Sequence, residues 1–416
     1  MSYAPRIVDL ELTERLAATG AVVIEGPKAC GKAATARNVA ASEALLDTDD
    51  NLREAVTVNP AFVLDGETPR LIDEWQIAPA IWNHVRRTVD DRRSPGQFIL
   101  TGSAVPADDV TRHSGAGRIT RLRMRPMSLF ERGWSDGAAS LDRLLAGEPA
   151  AGVRSDLPIA ELAEMAAVGG WPGLREIEIG QALRVLRGYV DEISRVDVSR
   201  VDEKRRDPRR VRRLLSSLAR NVATQATATT LAKDAGGSDG PLDDDTVREY
   251  LDALERLMVI ENQPAWAPHL RSKHILRRAP KRHFVDPSLA IAALRATPEQ
   301  VLRDLRLFGL IFESLVVRDL RVYAQATDAN VFQYRDSSGL EVDAIVEGLD
   351  GRWAAFEVKL DSSRVNEAAE NLLRFASKVD TGICGEPNAL GVIIGTGYGF
   401  VREDGVQVIP IGSLGP

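Results

Sequence analysis

Apolar positions in the first hundred residues fall into short runs bounded by polar turns, and these runs alternate with stretches of helical spacing. The runs at 21–24, 61–64, 70–73 and 98–101 predict strands, and the segments between them predict helices. Strands alternating with helices give a parallel sheet covered on both faces, hence an α/β fold. From 159 the spacing becomes helical, at 159–167, 181–201, 211–221 and 228–236. It continues at 242–255, where Val247, Leu251, Leu254 and Met258 recur on one face behind the capping residues Asp243, Asp244 and Asp245. A strand at 258–264 follows, so the middle of the chain has the order of a winged helix-turn-helix module. The last third mixes both spacings: a long helix over 298–323, strands at 331–334, 340–346 and 353–360, a helix near 366–377, and strands at 390–394 and 406–409. A stretch rich in Ala, Gly and Pro at 138–156 reads as a boundary. Three regions are expected: 1–140, 150–270 and 271–416.

The first predicted strand runs into Gly26-Pro27-Lys28-Ala29-Cys30-Gly31-Lys32-Ala33-Ala34, which has the spacing of a phosphate-binding P-loop. Gly26 and Gly31 let backbone N–H groups turn toward phosphates, and Lys32 would reach the terminal ones. Position 33 should be Ser or Thr to hold Mg²⁺. It is Ala, so the direct protein ligand is missing unless Thr35 or water replaces it, and ATP binding is expected with weak or absent hydrolysis. The third strand delivers Asp73 and Glu74 at its C-terminal edge, where open α/β sheets bind ligands. Asp73 would hold Mg²⁺ through water and Glu74 would polarise the attacking water. The fourth strand ends in Thr101-Gly102-Ser103, which would place hydroxyls beside the γ-phosphate.

In this order the motifs resemble the P-loop ATPase domain of a prokaryotic AAA-type family (AAA_14). The residues that carry the resemblance are Asp73-Glu74-Trp75-Gln76-Ile77-Ala78-Pro79, the run from Phe98 through Ser103, Gly117-Arg118, and Pro126-Met127-Ser128-Leu129-Phe130-Glu131. The resemblance implies ATP and Mg²⁺ as cofactors and Arg118 beside the nucleotide. Arg112, Arg118 and Arg121 are candidates for an arginine finger, a role filled either within the chain or across a homo-oligomer interface. Gly169-Gly170-Trp171-Pro172-Gly173, Pro280-Lys281-Arg282-His283-Phe284-Val285-Asp286 and the Phe308-Gly309 to Phe312-Glu313 segment are similar to a domain of unknown function, DUF4143, that follows this ATPase domain.

The last third carries a second constellation, because Asp343 lies on one predicted strand and Glu357-Val358-Lys359 on the next. Glu357 and Lys359, two apart on a strand, point to one face, and Asp343 reaches that face from its neighbour. The arrangement resembles the core of PD-(D/E)XK nucleases. That resemblance implies that Asp343, Glu357 and Glu313 bind Mg²⁺ while Lys359 positions or activates a water at a phosphodiester.

The 416 residues suffice for two or three domains, and 44% apolar with 27% charged residues is the composition of a globular protein. No apolar signal core opens the chain and no apolar stretch is long enough to span a bilayer, so a cytoplasmic location without membrane contact is expected. The two cysteines suggest neither a disulfide framework nor a zinc site. The net charge of −7 hides two basic stretches. One comprises Lys204, Arg205, Arg206, Arg209, Arg210, Arg212 and Arg213. The other runs from His269 through Arg271, Lys273, His274, Arg277, Arg278, Lys281 and Arg282 to His283. They are the electrostatic argument for DNA as partner, although the presumed recognition helix is itself acidic. The leading expectation is therefore an AAA-type ATP-binding protein whose nuclease-like domain binds or cleaves DNA under nucleotide control. The alternative is a non-catalytic nucleotide-dependent switch that binds a protein.

Overall fold

The computed structural model describes residues 3–102, 114–201, 204, 206–237, 240–267 and 279–416. Five parallel strands, β1 (Ala21–Glu25), β2 (Ser42–Leu45), β3 (Arg70–Asp73), β4 (Phe98–Thr101) and β5 (Ile119–Arg123), form a sheet in the order β2-β3-β4-β1-β5. β1 is buried throughout its apolar residues because both faces are covered. Ala21 and Val23 join one apolar cluster with Trp75, Trp82 and Val85, while Val22 and Ile24 join another with Leu12 and Met124. The helix Val8–Ala18 contributes Val8, Leu12 and Leu16, four apart on one face.

Two local expectations change. Residues 61–64 are not a strand but part of a 3₁₀ helix, Pro60–Leu64: Pro60 fixes its first φ and the Asn59 side chain accepts from Ala61 N. The strand that completes the sheet is instead β2, an edge strand of sequence Ser-Glu-Ala-Leu with too little apolar pattern to be read. The helix expected over 298–323 is two helices, Pro298–Arg303 and Leu305–Ala324. Asp304 divides them, its side chain accepting from Leu307 N as the cap of the second.

The stretch rich in Ala, Gly and Pro is bound into the far end of the chain. There β6 (Ala139–Ser140) pairs with β17 (Leu414–Gly415), and β7 (Arg154–Ser155) pairs with β14 (Gly397–Tyr398). Helices Ile159–Val168, Ile179–Glu192, Pro208–Arg220, Ala228–Gly236 and Asp244–Arg256 follow, then a hairpin of β8 (Ile260–Gln263) and β9 (Lys281–Phe284). Helix Ile179–Glu192 runs on into a π-helical turn, Ile193–Asp197.

The last third is built on β10 (Ala329–Arg335), β11 (Glu341–Gly348), β12 (Trp353–Lys359), β13 (Ala389–Ile394), β15 (Phe400–Val401) and β16 (Gln407–Pro410), in the order β10-β11-β12-β13-β16-β15. The β10–β11–β12 meander is antiparallel, whereas β12, β13 and β16 run parallel. Helix Leu305–Ala324 packs on the face carrying Ala344, Val346 and Phe356, and helix Val365–Ala376 packs on the face carrying Val342, Ile345 and Trp353. One apolar cluster runs from Leu129 through the middle helices to Leu414, so the middle and last regions share a core.

A buried ion cluster joins the three regions. Arg318 lies between Asp286, at 2.8 Å, and Asp319. Asp286 also accepts from Gly170 N, and Asp319 from Leu129 N. Gly169, at φ 72°, and Gly170 leave no room for a Cβ, which would come within 2.3 Å of Asp286 and 2.0 Å of Met127 O. The Gly-Gly-Trp and Phe-Val-Asp motifs therefore serve this joint.

Candidate functional site

The P-loop follows β1 and bends sharply. Gly31 has φ 108° and Ala29 φ 62°, while a Cβ at Gly26 would meet the Met124 carbonyl at 2.3 Å. Lys32 is buried, its Nζ donating to Gly26 O at 2.9 Å and Pro27 O at 2.8 Å, so the loop closes on its own lysine. Cys30 is fully buried as packing. Two cavities meet at Gly31 and Ala34. One, of about 530 Å³, is bordered by Lys28, Ala33, Asp47, Asp73 and Glu74. The other, of about 440 Å³, is bordered by Tyr3, Arg37, Pro172 and Arg175 and is the more apolar. Together they offer a polar side over the loop and a more apolar side beyond Gly31.

Asp73 ends β3, and Glu74 follows it at the border of the cavity over the loop. Asp73 accepts from Thr101 Oγ1, and Glu74 adopts a left-handed backbone at φ 53° with Gln76 Nε2 donating to it. The Thr101 hydroxyl is thus donated to Asp73 rather than turned toward the phosphates. Ser103 and Arg112 lie outside the described residues. Thr35 does not replace the missing ligand at Ala33, because its hydroxyl is buried against Tyr3 OH at 3.0 Å. Magnesium here would rest on phosphate oxygens and on the rim acids Asp73 and Asp47. Asp47 went unread because it follows the unread strand β2.

Arg118 is a correction. It precedes β5, whose Ile119 is in register with Ala21, so it sits at the opposite end of the sheet from the loop, roughly six residues or ~20 Å away along the strand. There it pairs with Asp90 at 2.8 Å and does not serve the nucleotide of its own chain. Arg121 pairs with Glu25.

The loop is tied to the helical region. Lys28 Nζ is 2.5 Å from Asp197 Oδ1 at the end of the π-helical turn, and Tyr189 OH donates to Lys28 O at 3.2 Å.

In the last third, Asp343, Glu357, Lys359 and Glu313 do converge. Lys359 Nζ is 2.5 Å from Glu357 Oε2 and 3.5 Å from Asp343 Oδ2, as strand alternation requires. The expected metal does not fit. Lys281, on β9, places its buried Nζ 2.6 Å from Glu313 Oε1 and 3.1 Å from Asp343 Oδ1, in the position between the acids where a cation was expected. Val358 N donates to the other Asp343 oxygen, and Asn371 Nδ2 to Glu357 Oε1. Among the described residues no group of three or more His, Cys, Asp or Glu is arranged to hold a metal ion. Asp343, Glu357 and Glu313 as Mg²⁺ ligands are therefore corrected: two ammonium groups, one on each side of Asp343, already pair with the three acids.

Electrostatics follow from this packing. Burial and then the Asp343 charge push Glu313 up to about 7, and the same two causes raise Glu357. Burial also works against the Asp343 carboxylate, but Lys281 and Lys359 reverse that and hold it well below the usual range. Lys281 loses by burial and gains more from Glu313 and Asp343, so it stays protonated. A cleft of about 610 Å³ opens beside Glu357 and Lys359, with Arg364 and Arg374 on its rim.

Where described, the first basic stretch lies mostly at the surface, with Lys204 exposed and only Arg206 buried, and the second is mostly internal. Arg206 donates to Val198 O and stacks on Tyr250, and Arg212 pairs with Asp191. Lys281 and His283 are buried, and Arg282 donates to Ala226 O. Arg209 and Arg210 are exposed. Arg205, His269, Arg271, Lys273, His274, Arg277 and Arg278 lie outside the described residues. Among the described residues no helix is long and apolar enough to cross a membrane.

Comparison with known proteins agrees with the sequence motifs. Two uncharacterized proteins, from Mycobacterium tuberculosis and Mycobacterium bovis, are each 25% identical over 346 residues, covering 82% of this chain and 70% of their own. Among solved structures, the Walker-type ATPase of Pyrococcus abyssi is 14% identical with a TM-score of 0.43, over 68% of this chain and 94% of that one. A domain of unknown function, DUF8612, matches residues 159–300. The chain thus combines an AAA domain at residues 18–132 with a DUF4143 domain at residues 308–414.

Proposed function

We propose that this protein is an ATP-binding switch with slow hydrolysis, in which the state of the P-loop is relayed to the helical and C-terminal regions to control a protein partner. The observation that carries this reading is the 2.5 Å contact between Lys28 of the loop and Asp197 of the π-helical turn. Phosphates over the loop would compete with Gly26 O and Pro27 O for the Lys32 ammonium, and releasing those carbonyls frees the loop segment that bears Lys28. Single π turns inside helices are strained and recur at functional positions, which makes Ile193–Asp197 a suitable element to shift. Hydrogen exchange of residues 179–200 with and without ATP tests it. Exchange should change in the native chain and not in Asp197→Asn, with ATP affinity retained in both. Equal responses in both would refute the relay.

A second reading, DNA engagement, rests on the exposed Arg209 and Arg210; the C-terminal cleft sets Lys359, Arg364 and Arg374 against Glu341, Asp343, Glu357, Glu367 and Glu370. The helix–helix–hairpin order of Ala228–Gly236, Asp244–Arg256 and β8–β9 fits a winged helix, yet its second helix carries Asp244, Asp245, Glu249, Asp252 and Glu255. Such a helix repels phosphates. Metal-dependent cleavage is opposed by Lys281. Binding of linear DNA that falls steeply with salt, without cutting in Mg²⁺, would support this reading over the first.

A further inference from the structure

A cavity of about 390 Å³ lies between β5 of the first sheet and helix Leu305–Ala324, and it shares no lining residue with the two cavities around the P-loop. Five arginines line it: Arg15, Arg121, Arg123, Arg125 and Arg321. The acids on its walls are Glu11, Glu261 and Asp328. Glu11 is engaged by Arg15 at 2.6 Å, and Asp328 is exposed. Glu261 alone serves three guanidinium groups. Arg125 takes it with two bonds, at 2.6 and 3.0 Å, leaving Arg321 at 3.6 Å and Arg123 at 3.9 Å from the same carboxylate. Arg123 Nε is buried and has no hydrogen-bond partner.

A network that served folding alone would match its charges, because buried charge without a counter-charge is costly. Here, with Arg121 paired to Glu25 beyond the walls, Arg15, Arg123, Arg125 and Arg321 face Glu11, Glu261 and Asp328, one more positive than negative group around a space left open. Burial pushes Arg321 down to about 10 and also lowers Arg123, the direction expected where cations crowd together out of water. Guanidinium forks match phosphate oxygens, and a phosphate monoester carries close to two negative charges where a carboxylate carries one. The volume is that of a small-molecule pocket and exceeds what a bare phosphate fills.

We propose that this cavity binds a phosphorylated small molecule, with its phosphate held between Arg123 and Arg321. The test uses the full chain carrying Lys32→Ala, which removes phosphate binding at the P-loop, titrated with AMP and with inorganic phosphate by calorimetry. AMP should bind with a stoichiometry of one and more tightly than phosphate. Adding Arg123→Gln should weaken AMP by about tenfold to a hundredfold, the loss expected for one charged hydrogen-bonding group. If that variant melts lower than its parent without ligand, Arg123→Lys, which keeps the charge and loses the fork, should still weaken AMP several-fold. Absence of AMP binding at millimolar concentration, AMP binding no tighter than phosphate, or affinity unchanged by either Arg123 substitution would overturn the proposal.

Discussion

The ammonium of Lys281 lies 2.6 Å from Glu313, and with its 3.1 Å contact to Asp343 it joins two acids that the linear sequence separates by thirty residues. A divalent ion and this lysine cannot share the position. Manganese should therefore leave the melting temperature of the native chain unchanged. In Lys281→Met the two acids lose their counter-ion, at a cost of about 3–5 kcal/mol, and manganese should restore part of that loss. Thermal unfolding in EDTA and in manganese checks this; a native chain stabilised by manganese at this site, with the effect lost in Asp343→Asn, would show that the lysine yields to metal.

Glu313 gives stability a pH slope of definite sign. Its carboxyl is raised to about 7 by burial and by Asp343, so the folded state keeps a proton that the unfolded chain releases above about 4.5. The associated stability is fully present below the unfolded value and is lost as pH rises through about 7, a change of roughly 3 kcal/mol. Denaturant unfolding between pH 5 and 8 should show stability falling with pH, and Glu313→Gln should flatten that slope.

The P-loop should bind ATP without fast turnover, since Lys32 supplies phosphate affinity while Ala33 supplies no oxygen to magnesium. Ala33→Thr should raise the hydrolysis rate, and Lys32→Ala should weaken nucleotide binding by tenfold or more. Turnover at tens per second in the native chain, unchanged by Ala33→Thr, would remove Ala33 from the explanation.

Arg318 should be among the most costly residues to replace. Arg318→Met leaves Asp286 and Asp319 buried without their counter-charge and loosens the ties to Gly170 and Leu129. A loss of about 3–5 kcal/mol is expected in chemical denaturation. A loss under 1 kcal/mol would mean that the acids find other partners.

The sequence by itself determined the features that depend on neighbours along the chain. Of the four apolar runs of strand length in the first hundred residues, three became strands of the first sheet, β1, β3 and β4, and glycine spacing marked the P-loop. Strand alternation put Glu357 and Lys359 on one face, where they pair at 2.5 Å. Local pattern failed where local chemistry was ambiguous. Residues 61–64 look like a strand, but Asn59 and Pro60 start a 3₁₀ turn, and the true edge strand, Ser42–Leu45, has one buried residue and little apolar signal. Only the tertiary structure decided what depends on distant partners. Lys281 reads as one charge in a basic stretch until β9 brings it between Glu313 and Asp343, where burial turns it into an internal counter-ion. Arg118 reads as a nucleotide ligand until strand register places it at the wrong end of the sheet. The Glu261 cluster gathers arginines from β5, the segment after it and helix Leu305–Ala324, and its excess charge exists only because folding brings them to one carboxylate, with Arg321 buried and Arg123 and Arg125 partly so.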